Sequence, residues 1–95
     1  MPATVEIGQL IERRPELRRG RPILAGTGVS VHRTVGWFKL GKSPEEIAEN
    51  FGHISLAQVH AALAYYHANR EEIEGYLEEE EAEAERLEAS LRARE

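Results

Sequence analysis

The sequence predicts a mainly α-helical protein: a three-helix helix-turn-helix core of homeodomain-like kind, a short N-terminal β arm or hairpin before it, and a long acidic C-terminal helix after it. Three observations carry that expectation. Two box-like helix starts, Ser43 to Glu46 and Ser55 to Gln58, each open an apolar stripe, and Gly52 stands between them. Aromatic residues at helical positions, Trp37 and Phe38, precede this pair and can roof its core. Charge also divides along the chain, because residues 1 to 42 carry net +5 and residues 43 to 95 net −10. The expected division is a basic arm over 1–31, a helical core over 32–77 and an acidic helical tail over 78–95.

Residues 3 to 11 contain β-branched residues in partial alternation and read as a short strand. Glu12 to Arg21 holds five arginines with Pro15 and Gly20, so an exposed loop or single turn is expected. Ile23-Leu24-Ala25 and Val29-Ser30-Val31 flank Gly26-Thr27-Gly28 and suggest two extended pieces around a glycine turn. From His32 to Leu40 the apolar spacing is helical, and Gly41 ends it. Ser43-Pro44-Glu45-Glu46 opens a helix with Ile47, Ala48 and Phe51 on its buried side. After Gly52-His53-Ile54, a further helix buries Leu56, Val59, Ala62, Leu63 and Tyr66. A break is expected around Ala68, with a last helix beginning near Arg70. Its seam of Ile73, Leu77, Ala84, Leu87 and Leu91 thins after Glu78, so residues 78–95 are expected to be frayed or disordered until something covers them.

Composition excludes several function classes. A chain of 95 residues has room for one domain, and the lack of cysteine removes disulfides, thiolate metal sites and a cysteine nucleophile together. No apolar run approaches the roughly 20 residues that span a bilayer, and the first ten residues do not resemble a signal peptide, so a cytoplasmic protein is expected. His60 and His67 are seven apart and His53 lies in a turn, a spacing that does not build a helical metal pair. Gly26-Thr27-Gly28 lacks the Gly-Lys-Ser/Thr that a phosphate-cradling loop needs. No nucleophile with an adjacent base is found. Neither catalysis, cofactor nor metal is expected.

Nucleic-acid binding offers more. In a helix-turn-helix, Ser55, Ala57, Gln58 and Ala61 face outward near the start of the second helix, and the Gln58 amide suits an adenine edge. Ser43 to Asn69 contains no Lys or Arg, however, so phosphate contacts fall to Arg13, Arg14, Arg18, Arg19, Arg21 and Arg33. The alternative is a helix pair used as scaffold or protein interface. Ala57, Ala61, Ala64 and Ala68 favour it, because small residues along one face admit another helix, with Tyr65 at the rim. The tail supplies a separate contact, with Ile73, Leu77, Leu87 and Leu91 as the residues offered to a partner.

The segments Gly20-Arg21-Pro22-Ile23-Leu24-Ala25-Gly26-Thr27-Gly28-Val29-Ser30-Val31, Gly41-Lys42-Ser43-Pro44-Glu45-Glu46-Ile47 and Val59-His60-Ala61-Ala62-Leu63-Ala64-Tyr65-Tyr66 together resemble the domain of unknown function 433 family. The likeness runs from about Gly20 to Leu77. The commoner family form has arginine after Gly-Thr and proline two positions later, where this chain has Gly28 and Ser30. The resemblance implies a small helix-turn-helix protein of the VapB antitoxin type, a PIN-like ribonuclease toxin as partner, and operator DNA as a further contact of the complex. The leading expectation is therefore an antitoxin-like homodimer whose acidic helix covers a basic nuclease surface. A stand-alone DNA-binding regulator and a structural homo-oligomer are the alternatives.

Overall fold

A computed structural model describes residues 4–94. It is mainly helical, with four helices and a small two-stranded antiparallel hairpin: β1 (Ile11–Glu12), β2 (Ile23–Leu24), α1 (Val31–Lys39), α2 (Pro44–Phe51), α3 (Leu56–Ala68) and α4 (Arg70–Ala93). Among the described residues, no helix is long and apolar enough to cross a membrane.

The helix starts follow from local chemistry. The Ser43 hydroxyl accepts from the Glu46 amide at 3.2 Å while the Glu46 carboxylate accepts from the Ser43 amide at 3.0 Å. Ser55 and Gln58 repeat the arrangement at 3.1 and 2.9 Å. Each cap satisfies amides that would otherwise be orphaned, an effect of about 1 kcal/mol. Ser30 caps α1 through the Arg33 amide, at 3.1 Å. Gly52 closes α2 with φ of 76°, a left-handed conformation that glycine adopts without the Cβ clash.

Helix α1 packs on α2, α3 and α4, and α3 packs on α2 and α4. Val31, Val35, Ile47, Val59, Ala62, Leu63, Tyr66 and Ile73 meet in one core, closed from the arm by Leu24 and Val29. Burying a side chain such as Ile73, which is fully enclosed, contributes about 1.5–3 kcal/mol.

Two expectations need correction, the N-terminal strand and the frayed tail. The strand expected over residues 3–11 is instead a 3₁₀ turn, Ile7–Leu10, leading into the two-residue β1; Ala3 lies outside the described residues. Strand β2 takes β1 as its partner, pairing Ile11 with Leu24 and Glu12 with Ile23. The two extended pieces expected around Gly26-Thr27-Gly28 do meet: Ile23 bridges Ser30, the Leu24 amide donates to the Val29 carbonyl and the Val31 amide to the Pro22 carbonyl, both at 2.9 Å, before Ser30 caps α1. Finally, α4 runs unbroken from Arg70 to Ala93, past Leu77 and through the stretch expected to fray. Its first turns are anchored by Ile73 and by Leu77, whose side chain packs beside Gly36 of α1. Its later turns are built almost wholly from Glu, Ala, Leu and Arg, the strongest helix formers.

The expected break does occur, at Asn69, where φ is −137° and ψ is 50°. Gly75 is the weak point of α4. A Cβ added there meets nothing within 4 Å, and helical glycine costs about 1 kcal/mol relative to alanine. Gly75→Ala is therefore expected to raise unfolding stability by about 1 kcal/mol, read as a higher urea midpoint at unchanged slope.

Candidate functional site

The six arginines of the arm and α1 separate into two groups. Arg13 and Arg14 serve the scaffold. Arg14 pairs with Glu12 at 3.1 Å, and the other Glu12 oxygen accepts from the Gly26 amide at 2.6 Å. The Gly26 amide first, then Arg14, holds the Glu12 carboxyl below its ordinary pKa.

Arg13 reaches the Glu72 carboxylate of α4 at 2.7 Å and the Tyr65 hydroxyl of α3 at 2.5 Å. Tyr65 and Tyr76 each donate to Glu72 at 2.6 Å. One carboxylate thus collects donors from the arm, α3 and α4. Burial alone would push the Glu72 pKa up; hydrogen bonds from Tyr65, Tyr76 and Arg13 outweigh it and hold the group below 4.5. The same arrangement raises the Arg13 pKa, chiefly through Glu72. Burial, then the bond to Glu72, raises the pKa of both tyrosines.

Arg18, Arg19, Arg21 and Arg33 converge on one cleft of about 410 Å³, which Ser30 and His32 also line. Arg18 and Arg19 both have positive φ, 52° and 57°, before Gly20 at 74°. Two successive left-handed arginines are uncommon and costly, and here the turn brings both side chains to the same wall. The Arg18 Nε donates to the Gly28 carbonyl at 3.0 Å. Arg21 lies over the Tyr76 ring, 4.4 Å from its centroid, and donates to Glu79 at 2.5 Å. The Arg33 guanidinium stands 5.7 Å from the centroid of Phe51.

His32, on the first turn of α1, has only 5% of its side chain exposed. Its Nε2 lies 2.7 Å from a Glu80 oxygen and its Nδ1, also buried, has no hydrogen-bond partner. A carboxylate only accepts, so the hydrogen of this contact is carried by Nε2. The cleft is therefore a donor wall from the arm and α1 facing Glu79, Glu80 and Glu83 of α4.

The remaining sequence-selected residues are elsewhere. Ser55 and Gln58 are consumed by their capping box, and the Gln58 Nε2 donates to the Ala25 carbonyl at 3.0 Å, so neither end of that amide is left for a base edge. Ala61 is buried rather than outward-facing. Ala61, Ala64, Tyr65 and Ala68 border an apolar groove of about 440 Å³ together with Ile7 and Ile11 of the arm. His53 braces its turn by donating to the Phe51 carbonyl at 2.8 Å. Of the four residues offered to a partner, Ile73 is fully buried in the core and Leu77 is half-buried against α1. Leu87 and Leu91 are 62% and 54% exposed.

Sequence reasoning missed His32 and Glu80. A signal for the second was present: stepping along the α4 seam from Ile73 to Leu77 to Ala84 places Glu80 on the same face. His32 had no local signal.

A family model described as "Protein of unknown function (DUF433)" matches residues 11–66, more than half the chain. The chain belongs to this family. Every arginine of the DUF433 cleft lies inside the matched segment, while Glu79, Glu80 and Glu83 lie beyond it. The fold is similar to the crystal structure of a DUF433 member protein from Anabaena variabilis ATCC 29413, with a TM-score of 0.68 and 24% identity, over 72% of this chain and 67% of that one. No curated protein matches the chain.

Glu72 gives a direct test of how the arm is held. Its folded pKa is depressed, so its contribution is present above pH 4.5 and is lost as pH falls through the lowered folded value. Glu72→Gln is expected to cost about 1–3 kcal/mol at pH 7, and to flatten the acid limb of the stability profile below pH 4.5. Urea titrations at pH 7 and in steps below 4.5 measure both.

Proposed function

We propose that the protein is an antitoxin-like binding protein, in which α1 to α3 form a helix-turn-helix unit used as a rigid mount and the end of α4 covers a basic surface on a second protein. The observation that carries this reading is the exposed state of Leu87 and Leu91 on an ordered acidic helix. With 24 residues, α4 is about 36 Å long. It stretches the molecule to 63 Å along one axis against 28 and 23 Å along the others.

Leu87 and Leu91 are four apart and share a face, which is how a helix presents anchors to a groove. Glu83 and Glu88 lie beside them, but Arg86, Arg92 and Arg94 share these turns and Arg92 pairs with Glu88, so the carboxylate excess that favours a cationic partner surface is the preceding run, Glu78 to Glu81 with Glu83. A PIN-like ribonuclease, the partner implied by the family resemblance, is the candidate. Operator reading by α3 has weaker support, since Gln58 is committed internally and Ser43 to Asn69 is without Lys or Arg.

Coexpression with the product of the adjacent reading frame tests the proposal. Leu87→Ala/Leu91→Ala in the full chain is expected to reduce copurification at least tenfold, the loss typical of paired interface anchors, while leaving the melting temperature of the free protein unchanged. Equal recovery with wild type and variant rejects the tail as the contact.

A further inference from the structure

We propose that the arginine cleft is a binding site for a phosphoryl oxyanion, and that Glu79 and Glu80 hold its place within the chain. The lining argues for an anion. Four arginines and His32 line one concavity, and two of these residues already engage an oxyanion, Arg21 with Glu79 and His32 with Glu80. Among the described residues, Arg19 and Arg33 are paired with no carboxylate, and Arg18 is bound only to a backbone carbonyl.

The floor carries an independent mark of a site. His32 is enclosed to 95% of its side chain, and the nearest acceptor of its Nε2–H is the exposed Glu80 carboxylate at 2.7 Å, so a buried donor depends on an oxyanion supplied from the surface. The capped N-terminus of α1 adds its amide dipoles beneath.

Phosphate suits this wall better than a carboxylate ligand does. The guanidinium fork meets phosphate oxygens in pairs, and a tetrahedral dianion can engage several forks where a planar carboxylate serves one or two. The cleft volume of about 410 Å³ also leaves room for the group esterified to the phosphate. Glu79 and Glu80 are 57% and 55% exposed, so both can leave by changing rotamer while Ile73 keeps α4 docked.

Two sources share this chemistry, a small phosphate ester and a nucleic-acid backbone. Isothermal titration of the full chain with inorganic phosphate, alone and in competition with a short DNA duplex of arbitrary sequence, separates them. Phosphate is expected to bind wild type, to bind Glu79→Gln/Glu80→Gln roughly tenfold more tightly, and to bind Arg19→Asn/Arg33→Gln at least tenfold more weakly. Asparagine tolerates the positive φ at residue 19, and both arginines are exposed, so circular dichroism and melting temperature should stay at wild-type values.

Displacement of phosphate by the duplex assigns the site to backbone phosphates; phosphate binding that the duplex leaves unchanged assigns it to a small ester. Either result upholds the oxyanion site. Absence of phosphate binding to Glu79→Gln/Glu80→Gln, or equal affinity of Arg19→Asn/Arg33→Gln and wild type, overturns it. Leu87→Ala/Leu91→Ala should bind phosphate as wild type does, so failure of the partner reading leaves this inference standing.

Discussion

The Glu72 carboxylate is the constraint on which the arrangement of the arm depends. It receives Arg13 from the arm, Tyr65 from α3 and Tyr76 from its own helix. The hairpin β1–β2 has two residues in each strand and cannot be stable alone. What seats it is Arg13 on Glu72 outside and Leu24 in the core inside. Once that segment is fixed, the turn at Arg18–Gly20 has only one place to go, beside the start of α1 and under α4. Arg13 also donates to the Gly20 carbonyl at 3.2 Å, so the contact that seats the arm pins the turn that builds the cleft wall.

Helix α4 performs two tasks that pull its composition in different directions. Near its start it must bury Ile73, pack Leu77 beside Gly36 and present Glu72, Glu74 and Tyr76 to the body. Lys39 and Tyr66 hold Glu74, with Lys39 foremost in keeping its pKa low, which ties α4 to the ends of α1 and α3. Beyond Glu83 the helix has no body to pack on, and its continuation rests on propensity and on pairs such as Arg92 with Glu88. Two exposed leucines there are a cost to a free protein, since apolar area stays in water.

What could be read from the sequence was what depends on neighbours within four residues. Ser43, Ser55 and Gly52 act through hydrogen bonds and dihedrals that are local, so the extents of α2 and α3 followed directly. The break at Asn69 was legible for the same reason. The second use of Gln58 was not, because its Nε2 meets the carbonyl of Ala25, 33 residues away. His32 was equally hidden: a histidine after a capping serine looks exposed until α4 is laid over it. The arm misled in another way. The β-branched residues at its start carry strand propensity, but a strand needs a partner, and of residues 4–12 only Ile11 and Glu12 find one. Six arginines looked like one basic patch; the Arg18–Arg19 turn divides them, a backbone event for which arginine has no special preference.

The seam register of α4 joins the two ends of the functional reading. Counting from Ile73, each step of three or four residues stays on one face, and that face passes from core to cleft to solvent: Ile73 and Leu77, then Glu80, then Leu87 and Leu91. Glu80 replaces an apolar residue where the surface beneath changes from the apolar core to His32. The substitution is what that surface requires, since an apolar side chain there would leave the Nε2 hydrogen of a buried imidazole without an acceptor. Leu87 stands seven residues further, about 10 Å along the helix and so about one Debye length away at 0.1 M salt. Charge placed at the tip is thus largely screened from the carboxylates that face the arginines, so cleft and tip are separable surfaces of one helix.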